Sequence, residues 1–126
     1  MPSKDPIQRF EDILANISRI ENHTEGMNDQ SAFEENYLVY DAVERCLERI
    51  SEAAKRLGPD AEELCPMIAW PHIRGLGNVL RHEYDKVERV RVWYMIQDDL
   101  PPLKKAVEDA LRKLRERESE GQKGMP

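Results

Sequence analysis

The side chains best suited to acid–base and phosphate chemistry cluster on one predicted helix, which reads PHIRGLGNVLRHEYDKV over residues 71–87. At 100° per residue, Arg74, Asn78, Arg81, His82 and Asp85 fall within about 100° of one another on a helical wheel. Guanidinium groups bind phosphate, and an imidazole with a pKa of about 6.5 exchanges protons near neutral pH. The cluster therefore predicts a site that binds an anion and transfers protons.

Two glycines, Gly75 and Gly77, fall within this segment. Each costs about 1 kcal/mol relative to alanine in a helix interior. If both are helical, they indicate that a partner helix or a nucleotide approaches the backbone closely. The alternative is that the helix begins only after Gly77 and that both glycines belong to the preceding loop.

The opposite face of the same segment is apolar and predicts a contact with the protein core. We expect this third helix to start at Pro71, run through His82 and end near Tyr84 or Asp85. Tyr84 lies at the edge of the apolar stripe, so its ring can pack while its hydroxyl reaches a cleft. The stripe is about 80° wide and consists of Ala69, Ile73, Leu76, Leu80, Tyr84 and Val87.

Two helices are predicted before this one. Asp5-Pro6 is a typical helix start, since Asp accepts hydrogen bonds from free N–H groups and Pro has no N–H to leave unpaired. That first helix should end near Asn22. A capping-box pattern, Ser31 with Glu34, predicts a second, longer helix that ends at Gly58-Pro59.

Prolines punctuate the remaining helical segments. A short helical turn is expected around Asp60–Cys65. A fourth segment begins around Val87, and Pro101-Pro102 should kink or split it because each proline removes a backbone donor. Four aromatic side chains fit the helical stripes and are expected in the core: Trp70, Trp93, Tyr37 and Tyr40.

Length and composition fit one small helical domain. The chain has 126 residues, with 35% charged and 6% aromatic side chains. We expect an all-α, four-to-five-helix up-down bundle over residues 1–116 and a flexible tail over 117–126. The N-terminus has no apolar signal core and no apolar run is long enough to span a membrane, so a cytoplasmic protein is expected. Cys46 and Cys65 are then reduced thiols.

Charge is unevenly distributed along the chain. Residues 1–70 hold 7 Lys or Arg against 15 Asp or Glu, whereas residues 71–92 hold five basic side chains against three acidic ones. An acidic body disfavours binding along a nucleic-acid duplex but allows a short contact at the basic segment.

The motif GLGNVLRHEYD, followed by Trp93 and the turn Asp99-Leu100-Pro101, resembles the HEPN superfamily, specifically its HepT-like toxin branch. The resemblance implies a metal-independent endoribonuclease toxin that acts as a homodimer and needs no cofactor. It also implies a partner, a minimal nucleotidyltransferase antitoxin of a type VII pair, which in some systems adenylylates the motif tyrosine.

Residue by residue, His82 matches the motif histidine, Tyr84 the motif tyrosine and Asn78 the polar residue after the motif arginine. Gly77 stands where the arginine is usual, so Arg74 or Arg81 is the candidate cation, within the chain or across a two-fold axis. The predicted catalytic set is thus His82, Arg81, Arg74 and Asn78, with RNA as substrate.

Two other functional classes remain open. The domain can be a non-catalytic HEPN module that binds a nucleotidyltransferase partner, or a helical bundle of unrelated role. Metal enzymes are disfavoured, because the sequence has no Glu-x-x-His pair, no His-Glu-x-x-His and no Cys-x-x-Cys pattern. The two other histidines, His23 and His72, are expected to be ordinary surface residues.

Overall fold

The computed structural model describes the backbone of residues 5–82 and 86–123 and the side chains of residues 5–76 and 89–121. Within these ranges the chain forms helices and no strand, which confirms the predicted all-α class. Five helices are long and two have six residues each. They are α1 (Pro6–His23), α2 (Gln30–Glu35), α3 (Tyr37–Leu57), α4 (Pro59–Leu64), α5 (Trp70–His82), α6 (Lys86–Asp98) and α7 (Leu100–Lys123).

The start of α1 confirms the predicted Asp-Pro signal. The carboxylate of Asp5 accepts a hydrogen bond from the Gln8 N–H at 3.2 Å, and Pro6 is the first helical residue. α1 ends at His23, one residue beyond the predicted end.

The prediction of one second helix starting at Ser31 is wrong, because this segment forms two helices, α2 and α3. The N-cap is Asp29, whose side chain accepts from the Ala32 N–H at 2.9 Å, and Ser31 is already helical. α2 ends at Glu35, and Asn36 is extended (ψ 93°) and caps α3 by accepting from the Val39 N–H. Asn competes for backbone hydrogen bonds in this way, which favours a cap over a helix interior.

The end of α3 and the short helix after it agree with prediction. Gly58 adopts a positive φ of 56°, which suits glycine, and Pro59 then begins α4. α4 covers Pro59–Leu64, in place of the expected turn at 60–65.

The fourth predicted segment is split into α6 and α7 at Asp99, as the double proline indicated. Pro101 and Pro102 occupy the first turn of α7, where the missing N–H groups would have no helical partner. α7 continues to Lys123, seven residues into the predicted tail, because this stretch is rich in strong helix formers such as Glu and Arg. The domain boundary at residue 116 stays a prediction.

α1 packs between α3 and α7. Arg9, near the start of α1, lines a groove with Arg56, near the end of α3, so α1 and α3 are antiparallel. Two ion pairs show that α7 is also antiparallel to α1. They join Lys104 to Glu21 at 3.0 Å and Arg115 to Glu11 at 2.7 Å.

Three of the four aromatic side chains expected in the core are there. Trp70 is fully buried, with its indole N–H donating to the Cys65 carbonyl at 2.9 Å, and Trp93 and Tyr40 pack against Phe33. The prediction for Tyr37 is wrong, because its side chain is 64% exposed. It is the first residue of α3, just after the cap, and lies beyond the core stripe.

Candidate functional site

α5 carries the predicted site and is continuous from Trp70 to His82. Both glycines are therefore helical, and the alternative that places them in a preceding loop is wrong. In this register Asn78 and His82 are one turn apart on the same side of the helix, with Arg81 rotated by about 100°. The side chains of Asn78, Arg81 and His82 lie outside the described part of the chain, as does the whole of Tyr84.

Arg74 has a described side chain, and its guanidinium is bound within the chain. Nη1 and Nη2 each donate to one carboxylate oxygen of Glu62 on α4, with the Nη1–Oε2 distance at 2.9 Å. Nη2 also donates to the Gly58 carbonyl at 2.8 Å, and Nε donates to the Ala54 carbonyl at 3.3 Å. These contacts join the end of α3, α4 and α5.

The electrostatics of this pair keep both groups charged. The hydrogen bond from Arg74 lowers the pKa of the exposed Glu62 carboxyl, and the same bond raises the pKa of Arg74. A bidentate pair of this kind fixes the plane of the guanidinium. Within one chain Arg74 therefore acts as a cap on α3, and its catalytic role stays a prediction.

Gly75 has no packing reason to be glycine within the described residues. A Cβ built at Gly75 would meet no atom within 4 Å. The predicted close approach of a partner helix or a nucleotide to this backbone accordingly stays a prediction.

The chain matches the family model described as Ribonuclease HepT-like over residues 13–110, from the core of α1 through all of α5 and into α7. It belongs to the HepT-like ribonuclease family of the HEPN superfamily.

Relatives of this HepT-like chain align over most of its length. Two are proteins of Methanocaldococcus jannaschii: "Putative RNase MJ0125", 34% identical over 93% of this chain and 100% of its own length, and "Putative RNase MJ1380", 33% identical over 84% and 97%. "Probable ribonuclease HepT" of Thermococcus cleftensis is 36% identical over 50% of this chain and 57% of its own length. No solved structure shows a significant match.

His72 of this HepT-like chain has a partner that its sequence position did not indicate. Its Nε2 lies 3.2 Å from Oδ2 of Asp99, which links the first turn of α5 to the junction of α6 and α7. The two residues are 27 positions apart, and both side chains are more than one-third exposed. His72 is therefore at the surface, as expected, and an exposed pair of this kind contributes little to stability.

Among the described residues, no group of three or more His, Cys, Asp or Glu side chains is placed to hold a metal ion. Likewise, none of the described helices combines the length and apolar character needed to cross a bilayer.

Arg89, on α6, makes an aromatic contact that sequence reasoning did not predict. Its guanidinium lies over the ring of Tyr37, with 4.5 Å from the guanidinium carbon to the ring centroid. Arg89 is part of the basic segment, and it follows His82 by seven residues. No local pattern in the sequence indicated this contact, because Tyr37 was expected in the core and its exposure is seen only in the structure.

Proposed function

We propose that this protein is a metal-independent endoribonuclease toxin that cuts RNA at a homodimer cleft formed by α5 in the cytoplasm. The observation that carries the proposal is the continuous helix from Trp70 to His82, in a chain of the HepT-like family. This helix sets Asn78 and His82 one turn apart on one side. A two-fold axis along that side would present each residue twice.

RNA contains its own nucleophile, so the reaction needs a base, an acid and a cation. One imidazole of His82 takes the proton of the ribose 2′-OH, and the 2′ oxygen attacks phosphorus. The bond to the 5′ oxygen breaks, and the second imidazole of the dimer protonates that oxygen. The products are a 2′,3′-cyclic phosphate and a 5′-hydroxyl end.

Arg81 is the better candidate for the cation that stabilises the phosphate charge. Arg74 is held by Glu62 and by two backbone carbonyls, so it would have to leave these contacts to bind a phosphate. Asn78, on the same helix side as His82, would orient the phosphate.

Tyr84 is the proposed target of a nucleotidyltransferase antitoxin. In that step the phenol oxygen attacks the α-phosphate of ATP, AMP is transferred and pyrophosphate leaves. Co-expression should add the mass of one AMP to the chain, and Tyr84→Phe should abolish the addition. Addition that persists in Tyr84→Phe would contradict Tyr84 as the acceptor.

The test of the nuclease is cleavage of single-stranded RNA by the purified chain in the presence of a chelator. His82→Ala should lose cleavage, while His23→Ala and His72→Ala, which change the other two histidines, should retain it. Cut products should carry cyclic phosphate ends. Equal cleavage by His82→Ala, or no cleavage by the parent at any salt concentration, would refute the proposal.

A second candidate function is a non-catalytic module that binds the nucleotidyltransferase. The engagement of Arg74 by Glu62 favours it, because one of the two candidate cations is occupied within the chain. In that case the chain alone would neither arrest growth nor cut RNA, but it would still form a complex with its partner.

A further inference from the structure

An exposed aromatic ring and a fixed guanidinium form one surface at the N-terminal end of α3. Tyr37 is 64% exposed, and the guanidinium carbon of Arg89 lies 4.5 Å from its ring centroid. The same guanidinium is 5.4 Å from the ring of Tyr40. We call this surface, made of Tyr37 and Arg89, the Tyr–Arg platform.

Several contacts hold the platform in place. Nη1 of Arg89 donates to the Glu34 carbonyl at 2.9 Å, at the end of α2. The Glu34 carboxylate is itself bound by the side-chain amide of Gln30 at 3.2 Å. Tyr40, beneath the guanidinium, is buried against Phe33. The guanidinium is thus fixed before any ligand arrives.

The charge of Arg89 is available to a ligand. Among the side chains that the structure describes, no carboxylate lies within ion-pair distance of Arg89. An exposed aromatic ring can stack on a base of a flexible strand, and a cation next to that ring can contact the negative phosphate of the same strand. Arg89 also belongs to the segment in which basic side chains outnumber acidic ones.

The platform lies on the path of a strand bound near His82. Arg74 contacts Ala54 and Gly58 at the end of α3, and α5 packs extensively on α3, so α5 must run back toward the start of α3. The Arg74 carbonyl accepts a hydrogen bond from the Ser51 hydroxyl at 2.7 Å, so the α5 backbone at residue 74 is level with Ser51. Eight residues of helix, about 12 Å, then bring the backbone of His82 to the level of Val43. Tyr37 lies a further six residues, about 9 Å, along α3, which a short single strand can span.

We propose that the Tyr–Arg platform binds one base of the single-stranded RNA substrate by stacking, with Arg89 contacting the adjacent phosphate. This inference rests on the proposed ribonuclease function, and it adds a subsite that selects unpaired RNA. A base inside a duplex is already stacked and cannot reach the ring, so paired RNA binds less well.

The experiment measures binding of a fluorescent, mixed-sequence 2′-O-methyl RNA single strand, which lacks the nucleophile and is not cut. Tyr37→Ala should weaken binding by about 5- to 150-fold, the range for loss of one stacked base. Tyr37→Trp should retain it. Tyr94→Ala is the matched control, because Tyr94 is also exposed (53%) but lies apart from the described platform contacts. Arg89→Gln should weaken binding. It should also reduce, by about one, the magnitude of the slope of log binding constant against log salt concentration.

The outcomes separate this inference from the ribonuclease proposal. If Tyr37→Ala binds the strand as the parent does, or if the parent binds duplex as tightly as single strand, the platform is overturned while cleavage can stand. If Tyr37→Ala instead weakens self-association and leaves RNA binding unchanged, the ring covers a second copy and the inference fails. A parent that binds no RNA overturns both proposals. A thermal melt of Tyr37→Ala checks that the variant is folded.

Discussion

Replacing Arg74 with alanine should destabilise the fold, because its guanidinium caps the end of α3. The side chain donates to the Ala54 and Gly58 carbonyls and holds Glu62. Hydrogen bonds to a charged group contribute about 1.5–3 kcal/mol each, and partial exposure of Arg74 places these near the lower limit. We expect a loss of about 2–4 kcal/mol in the free energy of unfolding, or about 6–15 °C in melting temperature at this chain length.

The assay is urea and thermal unfolding followed by circular dichroism at pH 7, beside RNA cleavage at a temperature where both proteins are folded. Arg56→Ala is the matched control, since Arg56 is exposed and pairs with Glu52 one turn away at 3.3 Å. It should change stability by less than about 0.5 kcal/mol. If Arg74→Ala unfolds like the parent yet loses cleavage, the capping argument is refuted and Arg74 is catalytic.

The same pair gives the stability a dependence on acid. Arg74 lowers the folded-state pKa of Glu62 below its ordinary value of 4.5, so this contribution is complete above that pH and is lost as the pH falls through the folded pKa. The difference in free energy of unfolding between the parent and Arg74→Ala should therefore become smaller as the pH is lowered from 5. A difference that is constant with pH would contradict this reading of the pair.

Four other outcomes are expected from the described contacts and burial. Gly75→Ala should raise monomer stability by up to about 1 kcal/mol, because its Cβ meets no described atom, and a lower urea midpoint would contradict this. Ser51→Ala should cost about 1 kcal/mol, measured in the same way, since Ser51 is buried and its hydroxyl donates to the Arg74 carbonyl at 2.7 Å. Cys46 and Cys65 are buried, so a thiol reagent should modify them only after unfolding. Burial raises the pKa of Cys65 to about 11, whereas the unfolded thiol ionises at 9.0. The free energy of unfolding should therefore fall as the pH rises from 9.0 to about 11. A urea midpoint that stays constant over that range would contradict this prediction.

Local signals predicted the helix ends well. The cap at Asp5, the stop at Gly58 and the break before Pro101 each depend on residues within one turn of the boundary. The cap at Asn36 was missed because the capping box at Ser31 gave a competing local signal. Patterns within a few residues therefore fix helix limits, except where two caps compete.

Contacts between distant residues could not be predicted. The sequence placed Arg74 on the helix of the candidate site, but its partner Glu62 lies 12 residues away on α4, and Asp99 lies 27 residues from His72. Such pairs depend on how helices pack, which helical periodicity does not specify. That residues 71–82 form a helix was predictable from the sequence, whereas the side-chain partners of Arg74 and His72 were not.

The antiparallel register of α1 and α7 brings the first residue of α1 and the last residues of α7 to one end of the bundle. The pairs Glu11–Arg115 and Glu21–Lys104 define this register, and α1 is antiparallel to α3, so that end is the one opposite Tyr37. A short linker from Lys123 to Pro6, with new termini opened in the turn at 24–29, should yield a circular permutant that keeps the same core. A protein fused to the start of α1 or to the end of α7 would lie at the end of the bundle opposite the Tyr–Arg platform.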